Sequence, residues 1–196
     1  MIKPNPVLID SYLKKWDSLE NYTLQEKSLG LLFNEFCLGN TKLEFILLKV
    51  TALNQFYSTN IFDTYSVAKR ILKLDIDQRL QSHDLFLVNE LALITIKGKQ
   101  KNFYSFASKY CSHHVPEAFP IFDSYVEKML LQYASADSFA SFKKADQKQY
   151  ASFVGVMMAF KKFYGLEEFS LRQIDVFLWL AGKEFFPRTY SKKTKE

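Results

Sequence analysis

Six glycines and five prolines are the strong chain breakers available to 196 residues. That scarcity limits the fold more than any motif does. Sandwiches and barrels turn often, and their turns draw on glycine and proline. A chain this poor in both spends its length in long elements, and their periodicity makes them helices. Leu43, Ile46, Leu47, Val50, Leu53 and Tyr57 recur at steps of three and four, as one helical face requires. Phe103, Phe106, Ala107, Tyr110 and Cys111 repeat the pattern, with Ser105, Lys109 and Ser112 expected on the opposite side. Ile174, Phe177, Leu178 and Ala181 mark a last helix.

Punctuation supplies the boundaries. "TLQE" at 23 to 26 and "SLRQ" at 170 to 173 are capping patterns that open helices. Pro4 and Pro6 predict an extended start over the first ten residues. Short amphipathic helices are expected over 63 to 73 and from Ser138, and longer ones over 83 to 95, from Ser124 to about Tyr133, and over 147 to 164. "IKGKQK" reads as a polar turn between two helices. The expectation is an all-α fold of about eight helices with no strand. Residues 1 to 186 form one helical domain, with two lobes around a cleft as the alternative arrangement. Residues 187 to 196 are expected as a basic, disordered tail.

The hydrophobic fraction of 48%, with 16% aromatic, suffices for a large core. Cys37 and Cys111 are too few for a disulfide framework or a thiolate zinc site, and Cys111 reads as a small core residue. The start "MIKPNPVLID" has no apolar leader region and no apolar run reaches membrane-spanning length, so a reduced, cytoplasmic protein is expected. His113 and His114 are adjacent and diverge, and His83 is distant, so no metal is expected. Phosphate-binding loops, dinucleotide-binding glycines and nucleophile elbows are missing, so no cofactor is expected either.

The net charge is +5. Lys97, Lys99 and Lys101 crowd one turn, and Arg188, Lys192, Lys193 and Lys195 load the C-terminus. Solvated surface explains such runs, and so does a polyanionic partner. A turn leading into a helix exposes backbone N–H groups that bind phosphate.

The segment from about Leu85 to Val126 resembles the helix-hairpin-helix region of the DNA base-excision glycosylase superfamily. "FPIFDSYV" is similar to the family's proline, apolar residue and aspartate at a helix start, with Asp123 in the acid's place. "LLKVTALNQFYSTNI" (47 to 61) resembles the family's helix that runs into a polar turn beside the opened base pair. The departures are specific. Gly98 is followed two residues on by Gln100 rather than glycine, and Phe122 is an extra residue before Asp123. Aligned from the hairpin, the lysine nucleophile of bifunctional members falls on Asn102, with Lys101 adjacent; aligned from the helix face, it falls on Ser105.

The resemblance implies a two-lobed glycosylase-like fold and a monofunctional N-glycosylase acting on double-stranded DNA. Asp123 is then the catalytic carboxylate, stabilising an oxocarbenium-like sugar and orienting water, and Lys101 a candidate nucleophile. Lys97, Gly98, Lys99, Gln100, Asn102 and Ser105 are the implied DNA contacts. Asn54, Gln55 and Tyr57 are candidates for the base pocket or wedge that base flipping requires. Asp123 is equally explained as a helix N-cap. Two other readings stand beside the enzyme: a non-catalytic DNA-binding module on the same fold, and a helical protein-interaction domain.

Overall fold

The computed structural model describes residues 2–187. The tail charges at Arg188, Lys192, Lys193 and Lys195 lie outside that range. Among the described residues the chain forms ten α-helices and one two-stranded sheet.

The start is helical sooner than Pro4 and Pro6 suggest. α1 (Pro6–Asp17) is capped by Asn5, whose side chain accepts from the Leu8 N–H, and Pro6 takes the first helical position. Proline is favoured there because its missing N–H would go unpaired anyway. α2 (Glu20–Leu31) begins ahead of "TLQE", so that pattern caps nothing. The Thr23 hydroxyl instead donates to the Glu20 carbonyl. A π-helical turn, Leu32–Phe36, follows α2 and leaves Phe33 buried.

α3 (Leu43–Tyr57) matches its periodicity and stops at Ser58 in the left-handed region. α4 (Thr64–Leu74) is capped by Asp63, and α5 (Asp77–Gln81) is a single short turn of helix. α6 (Phe86–Ala92) ends earlier than expected. Leu93–Ile96 and Lys99–Asn102 are strands β1 and β2, paired antiparallel with Leu93 opposite Asn102 and Ile96 opposite Lys99. Lys97 and Gly98 both have positive φ, +48° and +73°, as a two-residue type I′ hairpin turn demands. The expected helix–turn–helix is therefore a β-hairpin. "LITI" carries the β-branched residues that favour a strand, and Gly98 permits the tight reversal.

α7 (Tyr104–His114) lies at the centre of the molecule and packs against α6 and α3. Its residues from Phe106 to Ser112 are all buried. Ser108, Lys109 and Ser112 are therefore buried, so the side opposite the apolar face, where the periodicity places Lys109 and Ser112, is interior as well. α8 (Ser124–Asp137) ends at Ser138 in the left-handed region, so no helix opens there. A 3₁₀ turn, Asp146–Lys148, precedes α9 (Tyr150–Phe163). α10 (Leu171–Phe185) starts with the expected capping box, Ser170 and Gln173 each satisfying the other's backbone N–H. It packs against α1 and α8.

The buried apolar residues form one contiguous cluster reaching from Ile9 to Ala181. A polar network crosses it near α3. Lys49, fully buried, donates to the Gly39 carbonyl and Asn40 Oδ1, and Asn40 donates to Asp77. Burial pushes the Lys49 amine down to about 8. No helix among the described residues is long and apolar enough to cross a membrane.

Candidate active site

The first N–H groups of α8 have no partner within the helix, and Asp123 supplies one. Its Oδ1 accepts from the Tyr125 N–H at 2.8 Å. The other oxygen, Oδ2, lies 3.8 Å from Lys109 Nζ. One carboxylate thus caps a helix and also meets a buried amine. Both line a cavity of about 710 Å³ bounded by α2, the end of α3, α7 and α10.

Lys109 is almost wholly enclosed. Its Nζ donates to Ser105 Oγ at 2.6 Å and to the Phe122 carbonyl at 3.3 Å, and sits 5.3 Å from the centre of the Tyr57 ring. Burial holds its pKa below the ordinary lysine value, Asp123 and Asp175 pull it back up, and Arg172 adds to the lowering. An ammonium deprived of water loses its proton more readily, which is the condition for a nucleophilic amine.

The turn before α8 is fastened at each residue. The Tyr150 hydroxyl donates to the Pro120 carbonyl, Asp175 Oδ2 accepts from the Ile121 N–H at 2.7 Å, and Ser108 Oγ accepts from the Phe122 N–H. Ser105 Oγ donates to the Phe122 carbonyl, which also receives Lys109. Asp175 is 2% exposed, and its Oδ1 has no hydrogen-bond partner among the described residues. Burial pushes its carboxyl up to about 7, against the opposing pull of Arg172, the Ile121 N–H and Lys109.

The outer wall is aromatic. Trp16 and Tyr22 stack with centroids 5.9 Å apart, and Trp179 meets Tyr22 edge-on. Lys183 Nζ lies 4.3 Å from the Trp179 centroid, and Arg172 lies over Trp16 while pairing with Glu26 at 2.6 Å. Tyr57 closes the inner end. Burial raises its hydroxyl to about 12 and lowers His113 to about 3, so a protonated Tyr57 shares a hydrogen bond with a neutral His113 Nε2 at 3.1 Å. His114 is likewise lowered to about 3 by burial and meets Asn40 and Lys49.

The structure brings Asp123, Gln55 and Tyr57 to the cavity, and Ser105 to the Lys109 amine beside it. It does not bring the hairpin there. Lys97, Gly98, Lys99, Gln100, Lys101 and Asn102 line no part of the cavity, and β2 is exposed along its whole length. Lys101, opposite Ile94 on that strand, is a solvated side chain and does not meet Asp123. Asn54 is structural: its amide donates to the Ile61 carbonyl and its Oδ1 accepts from the Ile61 N–H and the Thr59 hydroxyl. That clamp fixes the 58–62 loop, from which Phe62 projects, 98% exposed.

Lys109, Phe62, Asp175 and the aromatic wall of Trp16, Tyr22 and Trp179 are residues sequence reasoning passed over. Ser105, Ser108, Lys109 and Ser112 form a polar stripe on an otherwise apolar helix directly ahead of the Pro-Ile-Phe-Asp turn, and that was the available signal. Phe62 had a weaker one, a lone aromatic in the turn-forming "STNIFD". Among the described residues no cluster of three or more histidine, cysteine or acidic side chains is placed to hold a metal.

An uncharacterized protein of Haemophilus influenzae (strain ATCC 51907 / DSM 11121 / KW20 / Rd) is 46% identical over 169 residues, covering 83% of this chain and 81% of its own length. No solved structure matches the chain. A family model, HI_0787_N, an N-terminal domain, matches residues 8–118, which span α1 to α7 and include Lys109. The chain belongs to that HI_0787_N family.

Proposed function

We propose that this chain cleaves the N-glycosidic bond of a base in DNA, with Lys109 as nucleophile and Asp123 as its carboxylate partner. The observation that carries the reading is the Lys109–Asp123 pair, 3.8 Å apart in the wall of an aromatic cavity. The Nζ lone pair attacks C1′ of the sugar, and the C1′–N bond breaks with its electrons leaving on the base. Asp123 takes the proton the amine loses and stabilises positive charge on the sugar as it develops. Opening of the sugar ring leaves an imine between Lys109 and C1′, which water hydrolyses.

The surroundings suit a planar ligand. Trp16, Tyr22 and Trp179 offer ring faces and edges for stacking, and base–aromatic stacking contributes about 1–3 kcal/mol per base. Phe62, exposed on the loop that follows the cavity-lining end of α3, fits the gap an extruded nucleotide leaves in a duplex. Two free, buried cysteines and a nucleic-acid substrate are consistent with the reduced cytoplasm.

The test is imine trapping on a duplex carrying one abasic site, which presents an aldehyde whatever the natural lesion. With borohydride the protein becomes covalently attached, and Lys109→Gln abolishes attachment while retaining affinity for the duplex. Attachment at wild-type level in Lys109→Gln removes Lys109 from the chemistry. One observation favours a second reading, a DNA-binding module without turnover: the Lys109 amine is already satisfied by Ser105 and the Phe122 carbonyl. Salt-sensitive duplex binding with neither trapping nor base release identifies that reading.

A further inference from the structure

We propose that Asp175, which stands behind the reacting pair, is the positioning residue of this site, holding the turn that presents Asp123 and encloses Lys109. The inference rests on the reading of this cavity as the reaction site.

The geometry runs through one backbone group. Asp175 lies on α10, and its Oδ2 accepts the Ile121 N–H at 2.7 Å. Two residues on is Asp123; between them is the Phe122 carbonyl that receives Lys109 and Ser105. Among the described residues the Ile121 N–H has no other acceptor, so losing Asp175 leaves a buried donor unpaired and frees the turn on the side facing α10. Asp175 is also an unusual choice for a backbone clamp. Asparagine or serine would accept the same N–H without burying an ionisable group. A carboxyl here adds a charge that can be present or absent.

The groups facing it define what that charge does. Arg172 shares its helix, Lys109 comes from α7, and Asp123 from the turn itself; Tyr57 and Tyr150 face it as neutral phenols, and Glu26 is tied to Arg172. With its carboxyl pushed up to about 7, Asp175 changes charge near neutrality. Ionised, it strengthens the hydrogen bond from Ile121 and favours the ammonium form of Lys109. Protonated, it weakens both effects. The turn and the amine are thus governed by one buried proton.

Two variants and two readouts test this. Asp175→Asn keeps an acceptor for Ile121 but cannot ionise; Asp175→Ala removes the acceptor. Borohydride trapping on the abasic-site duplex is followed across the pH range around neutrality, together with the amide proton shift of Ile121 in the free protein. In the wild type both show an inflection near pH 7. Asp175→Asn retains trapping but loses both inflections. Asp175→Ala, still folded by circular dichroism, traps roughly 100-fold more slowly, as expected for a reacting group displaced by about 1 Å. Wild-type trapping rates and pH profiles in both variants would overturn the proposal. So would an Ile121 amide shift that does not change with pH in the wild type. A wild type that never traps removes Lys109 as the nucleophile instead, one that also releases no base refutes the glycosidic reading, and the Ile121 shift then decides the role of Asp175 by itself.

Discussion

At the scale of single residues, the site uses atoms that already have structural partners. Asp123 divides its two oxygens between a helix cap and an amine, so its replacement carries two consequences. Asp123→Asn keeps a capping oxygen, and we expect thermal unfolding close to that of the wild type with imine trapping strongly reduced. Asp123→Ala removes the cap as well, which costs about 1 kcal/mol in denaturant unfolding. Phe62 and Asn54 separate in the same way. Phe62→Ser touches nothing in the core and should alter stability by no more than ~0.5 kcal/mol. In a duplex carrying 2-aminopurine it should reduce the fluorescence rise that reports base extrusion. Asn54→Ala strands the Ile61 N–H and carbonyl and should cost on the order of 1–3 kcal/mol.

At the scale of elements, the contact between α8 and α10 fixes the direction in which Asp123 is presented. Gly182 makes that approach possible. A Cβ there would come 2.7 Å from Tyr125 Cβ and 3.2 Å from the Tyr125 carbonyl oxygen. Gly182→Ala therefore pushes α8 away from α10, with a destabilisation of roughly 1–3 kcal/mol measurable by denaturant titration. Trapping should fall further than stability does, because the start of α8 carries the acid.

Elements with one decisive signal were legible from sequence. α3 follows its apolar spacing, and α10 follows "SLRQ". The hairpin was not legible, because Leu93–Ile96 continues the apolar run of α6 and only β-branching separates them. α1 was hidden by reading Pro6 as a breaker when it is a first helical residue. Asp123 was legible as a carboxylate at a helix start. Lys109 was not, because spacing alone cannot distinguish a polar stripe facing solvent from one facing an internal cavity.

At the scale of the whole molecule, Asp175 links the cavity to global stability. Its carboxyl is raised from the ordinary value of 3.8 to about 7. Between those values the folded chain holds a proton that the unfolded chain releases. Its contribution is therefore complete below the lower value and lost as pH rises through the upper one. Asp175→Asn removes that loss, so its melting temperature relative to the wild type should increase steadily across the window. Calorimetry at several pH values checks the sign. An advantage that shrinks as pH rises would contradict it.

α7 has no exposed face on which variation can accumulate without effect. Phe106, Tyr110 and Cys111 fill the interior from the same turns of helix that carry Ser105 and Lys109. A substitution that merely loosens the packing around this helix, such as Phe106→Leu, is expected to shift its axis and spread Lys109 Nζ over several positions while the chain remains folded. Chemistry should therefore fail at temperatures below those at which the fold does, and the interval between the two would measure how closely this enclosed helix must be packed.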